Sequence, residues 1–108
     1  LQNLVDNSVK ALKEVSGERV IKCSYQFEDE YLQILMSDNG CGIPEDERVK
    51  VFELYYTTTE KQGGAGVGLY IVKTRVESLK GTVAVINSEF GKVGTTIEIR
   101  IPFKNNKV

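Results

Sequence analysis

The chain contains no histidine. Within its own 108 residues this excludes Ser-His-Asp and Cys-His nucleophilic chemistry and every histidine-ligated metal site. Cysteine is scarce as well. Cys23 and Cys41 lie far apart and form no C-x-x-C, so neither metal ligation nor a disulfide is expected, and reduced thiols suit a cytoplasmic domain. No sign of charge dominates either: 14 Lys and Arg stand against 15 Asp and Glu, a net charge of −1, which gives no support for nucleic acid as a partner. No apolar run approaches the ~18 residues of a membrane span. No signal-peptide pattern leads the chain, and no direct membrane contact is expected of it. What remains is an ordinary composition, 41% hydrophobic and 27% charged, which suits a single domain over residues 1–108 with a modest core.

Glycine, by contrast, is concentrated. Of the ten glycines, six fall between Gly40 and Gly68. In "KQGGAGVGLYIVK", Lys61 to Lys73, four of them run straight into an apolar, helix-spaced segment. Glycines let the backbone approach an anion, and a helix N-terminus offers free N–H groups and a positive dipole end. Two familiar phosphate loops fail on spacing. The dinucleotide fingerprint G-x-G-x-x-G fits Gly64 and Gly66 but then requires glycine at Leu69. The Walker loop fits Gly63 and Gly68, but Leu69 and Tyr70 stand where Lys and Ser/Thr belong. A bland surface loop and a third kind of nucleotide loop both stay open on this stretch alone.

The remaining pattern is α+β. Leu1, Leu4, Val5, Val9 and Leu12, with Ser8 on the same stripe, follow helical spacing, and Gly17 is placed to close that helix. No N-cap precedes Leu1, so the chain is expected to be cut from something longer. Ile21, Cys23, Tyr25 and Phe27 alternate with polar residues on a strand whose apolar side should pack Cys23. Asp29 and Glu30 turn the chain into "YLQILMS", which ends at "DNGCGIP". Pro44 starts a short helix, "EDERVKVFELYY". A loop without apolar periodicity leads to a helix with Leu69, Val72, Val76 and Leu79 on one stripe and Gly81 as terminator, and two strands, "TVAVINSE" and "TTIEIRIPF", finish the chain. Hairpin-joined strands predict a two-layer α/β sandwich, with three helices on one face of a mixed, mostly antiparallel sheet.

Two constellations could carry chemistry. Asn3, Asn7 and Lys10, at i, i+4 and i+7, share one helix face. They form either a solvated polar face or a row of amide oxygens and an ammonium turned to a ligand, where an amide oxygen can fill one site of a Mg²⁺ shell otherwise made of water and phosphate. "DNGCGIP" puts Asp38 directly after a strand. It reads either as a turn or as a carboxylate that accepts from an exocyclic amine, with Gly40 and Gly42 letting a flat base lie on the backbone.

In order, "NLVDNSVKA", "DNGCGIP", "VFELYYTT" and "GGAGVGLYIV" resemble the N box, first glycine box, F box and second glycine box of the GHKL (Bergerat) ATP-binding fold. The likeness is strongest to the catalytic and ATP-binding domain of sensor histidine kinases, and "GTTIEIRIP" looks like the end of that domain. The resemblance covers nearly the whole chain and implies ATP and Mg²⁺ as cofactors. By it, Asn7 coordinates the Mg²⁺ that bridges the phosphates, Asn3 is the polar residue one turn earlier, and Lys10 reaches phosphate. Asp38 binds the adenine amino group, and Gly40, Gly42 and Ile43 line the base. Phe52 packs at the base of the ATP lid, and Gly64, Gly66 and Gly68 serve as hinge and phosphate contacts, with Leu69 following. Tyr55, Thr57, Thr58 and Val67 complete the nucleotide contacts, and Thr95 adds a water-mediated one. The lid Lys of many relatives falls at Thr59 when counted from the tyrosines. Lys61 takes its place if the lid carries extra residues, and it is the expected γ-phosphate contact. The usual first strand is absent from the pattern.

The superfamily also contains hydrolases, among them the gyrase B subunit and the large heat-shock chaperones. These place a Glu general base where this chain has Asn3, and an amide cannot accept a proton at neutral pH. The resemblance therefore implies a kinase with Asn3, Lys10 and Lys61 at the reacting phosphate. Its phosphoacceptor histidine lies on a separate dimerisation domain, a response regulator is the onward partner, and the 108-residue fragment itself is monomeric. A serine kinase of the anti-sigma type and an ATP-sensing or docking module without catalysis are the alternatives.

Overall fold

A computed structural model describes residues 2–13, 15–54, 68–91 and 93–103. In chain order these form α1 (Gln2–Ala11), β1 (Ile21–Glu28), β2 (Tyr31–Asp38), two 3-10 turns (Glu45–Glu47 and Lys50–Phe52), α2 (Gly68–Ser78), β3 (Thr82–Ile86) and β4 (Thr95–Pro102). The four strands form one sheet in the order β1-β2-β4-β3, and every pairing among them is antiparallel.

Alternation along the strands sorts side chains onto two faces. Ile34 and Met36 on β2 stand in register with Ile99 and Ile97 on β4, which in turn face Val83 and Val85 on β3. This apolar face receives Leu4 from α1, Leu69, Val72 and Val76 from α2, and Val51 and Phe52 from the second 3-10 turn. Each such side chain, fully buried, contributes roughly 1.5–3 kcal/mol of transfer free energy. The opposite face is polar and cross-linked: Gln33 Nε2 donates to Glu98 Oε2 at 2.7 Å, the Ser37 and Thr96 hydroxyls are 2.9 Å apart, and Lys22 pairs with Glu89 at 3.0 Å.

Several elements depart from the sequence expectation. The helix α1 stops at Ala11, well short of Gly17, and Val9 is 49% exposed. The short third helix is two 3-10 turns. Its apolar residues give no stripe along a helix: Val51 and Phe52 are buried, whereas Val49 and Leu54 face outward. Leu79 lies past the end of α2 and is exposed, and Lys80, at φ 63°, takes the left-handed position expected of Gly81. The expected packing of Cys23 is also overturned. It is exposed, as are Ile21, Tyr25 and Phe27. The reason is topological: β1 is an edge strand, while α1 packs on β2 and α2 on β3 and β4.

Candidate functional site

The site is built where β2 ends beside the start of β4. Asp38 and Thr95 are register partners there, on the same sheet face as Met36 and Ile97. Both are buried, Asp38 to 2% exposure. Asp38 Oδ1 accepts the Gly40 N–H at 2.9 Å. Burial pushes the Asp38 carboxyl above its ordinary value, while hydrogen bonds from the Gly40 N–H, the Ser8 hydroxyl and the Thr95 N–H pull it back down. The one salt bridge among the described residues, Lys22–Glu89, lies elsewhere. Among the described residues, Asp38 is thus a buried carboxylate held by hydrogen bonds, with no cation paired to it.

Two glycines make this packing possible. A Cβ on Gly40 would stand 2.5 Å from the Ala11 carbonyl oxygen, so the loop after β2 closes directly onto the end of α1, where the Cys41 N–H donates to the same oxygen at 3.4 Å. Gly94 has φ +85°, and a Cβ there would stand 2.0 Å from the Asp38 carbonyl oxygen. Asn39 supplies a third tie. Its side chain accepts from Val20 N–H and donates to the Glu18 carbonyl, both at 2.8 Å, which fixes the approach to β1.

The helix α1 presents Asn3 and Asn7, both half-buried, while Leu4 and Ser8 turn inward and Lys10 is exposed. Asn3 lies at the start of α2: a Cβ on Gly68 would be 3.9 Å from Asn3 Cβ and 4.0 Å from its Oδ1. One expected polar residue and the N-terminus of the second helix are therefore neighbours, the arrangement in which free N–H groups can receive an anion.

Gly42, Ile43 and Thr95 line a cleft of about 370 Å³. Cys41, Pro44 and Val85 also line it, and Arg48 spans one side to donate to Asn87 Oδ1 at 3.1 Å. Asp38 does not line this cleft. Phe52 and Leu69, expected as ligand neighbours, are core residues at 5% and 9% exposure and support the site by packing. Tyr55, Thr57, Thr58, Thr59, Lys61, Gly64, Gly66 and Val67 lie outside the described residues.

Three site residues escaped sequence reasoning: Ser8, Asn39 and Gly94. For Ser8 the signal was a lone hydroxyl inside an otherwise apolar helical stripe. For Gly94 it was a glycine directly before Thr95.

Comparisons with known proteins converge on one family. The model for histidine kinase-, DNA gyrase B- and HSP90-like ATPases matches residues 1–105. The sensor protein LytS of Staphylococcus epidermidis is 34% identical over 108 residues, which cover 99% of this chain and 18% of that protein. Among solved structures, the catalytic domain of the histidine kinase ThkA superposes with a TM-score of 0.77 at 29% identity, covering 93% of this chain and 61% of that one. Full-length ShkA in complex with AMPPNP gives 0.72 at 28% identity, covering 94% of this chain and 20% of that one. The chain spans about a fifth of the length of the curated relatives it matches.

Proposed function

Because the chain belongs to the histidine kinase-, DNA gyrase B- and HSP90-like ATPase family, we propose that it binds MgATP and donates the γ-phosphoryl group to a histidine on a separate dimerisation domain of a two-component sensor kinase. A response-regulator aspartate is the onward acceptor.

The observation that carries this reading is Asp38, buried at the end of β2 with no ion pair among the described residues and one oxygen already on the Gly40 N–H. Such a group suits an exocyclic amine donor, as in adenine, and rejects a keto oxygen. Asn3 beside Gly68 supports a phosphate position at the start of α2. Among the described residues no group of three or more His, Cys, Asp or Glu could hold a metal by itself. This fits an ion carried largely by phosphate and water, with Asn7 adding one amide oxygen. Bound MgATP supplies the phosphoryl group and the cation that offsets its charge. The chain's own residues orient it: Asp38 reads the base, Asn7 and Lys10 hold the phosphate side, and the lid segment with Lys61 completes the contacts. Asn3, an amide, cannot activate water, which supports transfer over hydrolysis.

The test is phosphotransfer from labelled ATP to a supplied histidine-bearing dimerisation domain, with Asn7→Asp and Asp38→Asn as variants. Mg²⁺-dependent labelling that both variants abolish is expected, along with very slow ATP hydrolysis by the chain alone. Labelling that survives both substitutions, or brisk hydrolysis without a partner, would overturn the assignment.

A further inference from the structure

Among the described residues β1 is a free edge of the sheet. Its one strand neighbour is β2, and the register between them runs from Ile21 to Glu28 without a bulge. In an antiparallel pair, the backbone groups of successive residues point alternately toward the neighbour and away from it. The Asn39 N–H donates to the Val20 carbonyl, one step beyond the Ile21–Asp38 pair, so the even-numbered residues of β1 bond to β2. The N–H and C=O groups of Ile21, Cys23, Tyr25 and Phe27 therefore point outward from the sheet. Their side chains are exposed as well. Natural edge strands are commonly blunted by a bulge, a proline or an inward-pointing charge. The apolar face of β1 has none of these. Its two charged residues, Lys22 and Glu28, stand on the polar face at opposite ends of the strand.

We propose that β1 is a self-association edge, to which a second copy of this chain adds antiparallel about a two-fold axis through Tyr25. A seam of this kind must pair outward-facing residues with outward-facing residues, and the two-fold axis makes every contact occur twice. With the axis at Tyr25, Cys23 meets the partner's Phe27 and Lys22 meets the partner's Glu28, so opposite charges face each other at both ends of the seam. Moving the axis one residue either way loses that match within the strand. At Ser24 it sets Lys22 against Gln26, and at Gln26 it sets Glu28 against Ser24. The strand is thus complementary in charge to itself in one register, which is what commits the edge to a second copy. The seam joins two four-stranded sheets into one continuous sheet and brings the exposed Tyr25 and Phe27 of both copies together on one face. Asn3, Asp38 and Thr95 lie on other elements, so both candidate sites stay open. This departs from the monomer that the family resemblance implies. A single strand pair lies at the small end of interfaces, below about 1,200 Å², so the dimer is expected to be weak and reversible.

The experiment is sedimentation equilibrium of the chain under reducing conditions, from low micromolar to about 1 mM. A reversible monomer–dimer equilibrium with no larger species is expected. Cys23→Pro removes one outward N–H and keeps both aromatic side chains. It leaves the bonds to β2 in place, since proline is tolerated on an edge strand where the N–H faces solvent. This variant is expected to weaken the dimer about tenfold or more. Lys22→Glu and Glu28→Lys each turn both matched pairs into like-charge pairs, and each is expected to weaken the dimer about tenfold. The double exchange, Lys22→Glu with Glu28→Lys, restores opposite charges and with them the parent's affinity. Circular dichroism checks that each variant is folded, and the charge series decides the matter if Cys23→Pro is not. A chain that stays monomeric at the highest concentration overturns the proposal and leaves the edge to a strand of another polypeptide. Growth beyond the dimer overturns it as well, as does a dimer indifferent to the charge reversals: either outcome would mean clustering of the aromatic patch without a paired edge.

Discussion

Asp38 sets function against stability at a single side chain. Its folded-state pKa is raised above the ordinary 3.8 by burial, so folding favours its protonated form. The sign follows from linkage: the contribution of this group to stability is greatest below 3.8 and declines as pH rises through the raised value, so at neutral pH the ionised side chain is a net cost. Asp38→Asn is therefore expected to melt at or a few degrees above the parent at pH 7, with the difference shrinking toward pH 4, while ATP affinity falls about tenfold to a hundredfold. Scanning calorimetry at both pH values and titration with ATP check it, and a variant that melts well below the parent only at pH 7 would contradict it. Gly94→Ala should behave in the opposite way. A Cβ at φ +85°, 2.0 Å from the Asp38 carbonyl, is expected to cost about 3 kcal/mol or more, seen as a lowered urea midpoint. At this scale the sequence marks Asp38, Gly40 and Gly42 as candidates because their residue types fit one chemistry in one short run. Ser8 and Gly94 were not legible, since their roles depend on a partner distant in the chain that only folding brings near.

The end of α2 shows what periodicity can and cannot decide about an element. The stripe Leu69, Val72 and Val76 was readable and is buried. The spacing puts the terminus at Gly81, but the bonds are Lys80 N–H to the Glu77 carbonyl and Gly81 N–H to the Val76 carbonyl, both 2.9 Å, a Schellman pattern with Lys80 at the left-handed position. Gly81 is kept for space instead, since a Cβ there would stand 2.4 Å from the Arg100 carbonyl oxygen. Lys80→Gly is thus expected to stabilise the chain by about 0.5–1 kcal/mol, read as a higher urea midpoint with an unchanged slope. A lower midpoint would show that the strain at Lys80 is not what limits this helix end. The two 3-10 turns teach the same point from the other side. Acidic residues and a proline mark where a helix can begin, but without a continuous stripe to bury nothing extends it.

At the scale of the whole molecule, alternation tells which residues share a face and is silent on whether anything covers that face. Ile21, Cys23, Tyr25 and Phe27 share the apolar face of the sheet with Met36 and Ile34, as their spacing implied, yet Tyr25 is 73% and Phe27 63% exposed because the helices pack on the other strands, α1 on β2 and α2 on β3 and β4. Tyr25 meets Phe27 edge-on at 6.1 Å, and Phe27 meets Phe103 at 5.3 Å, so the patch is an aromatic cluster open to solvent. Side chains that are already wet lose little when removed, whereas those at the centre of the sheet lose both transfer free energy and packing. The double substitution Tyr25→Ser and Phe27→Ser is therefore expected to cost under about 2 kcal/mol, most of it from the aromatic pairs. Ile97→Ala, at a position 3% exposed, is expected to cost about 2–5 kcal/mol by itself. The same double variant should bind less of an apolar dye such as ANS. Urea melts and dye titrations on the three chains decide the matter. A double variant as damaging as Ile97→Ala would mean that the β1 face is packed in solution and that the cluster belongs to the core.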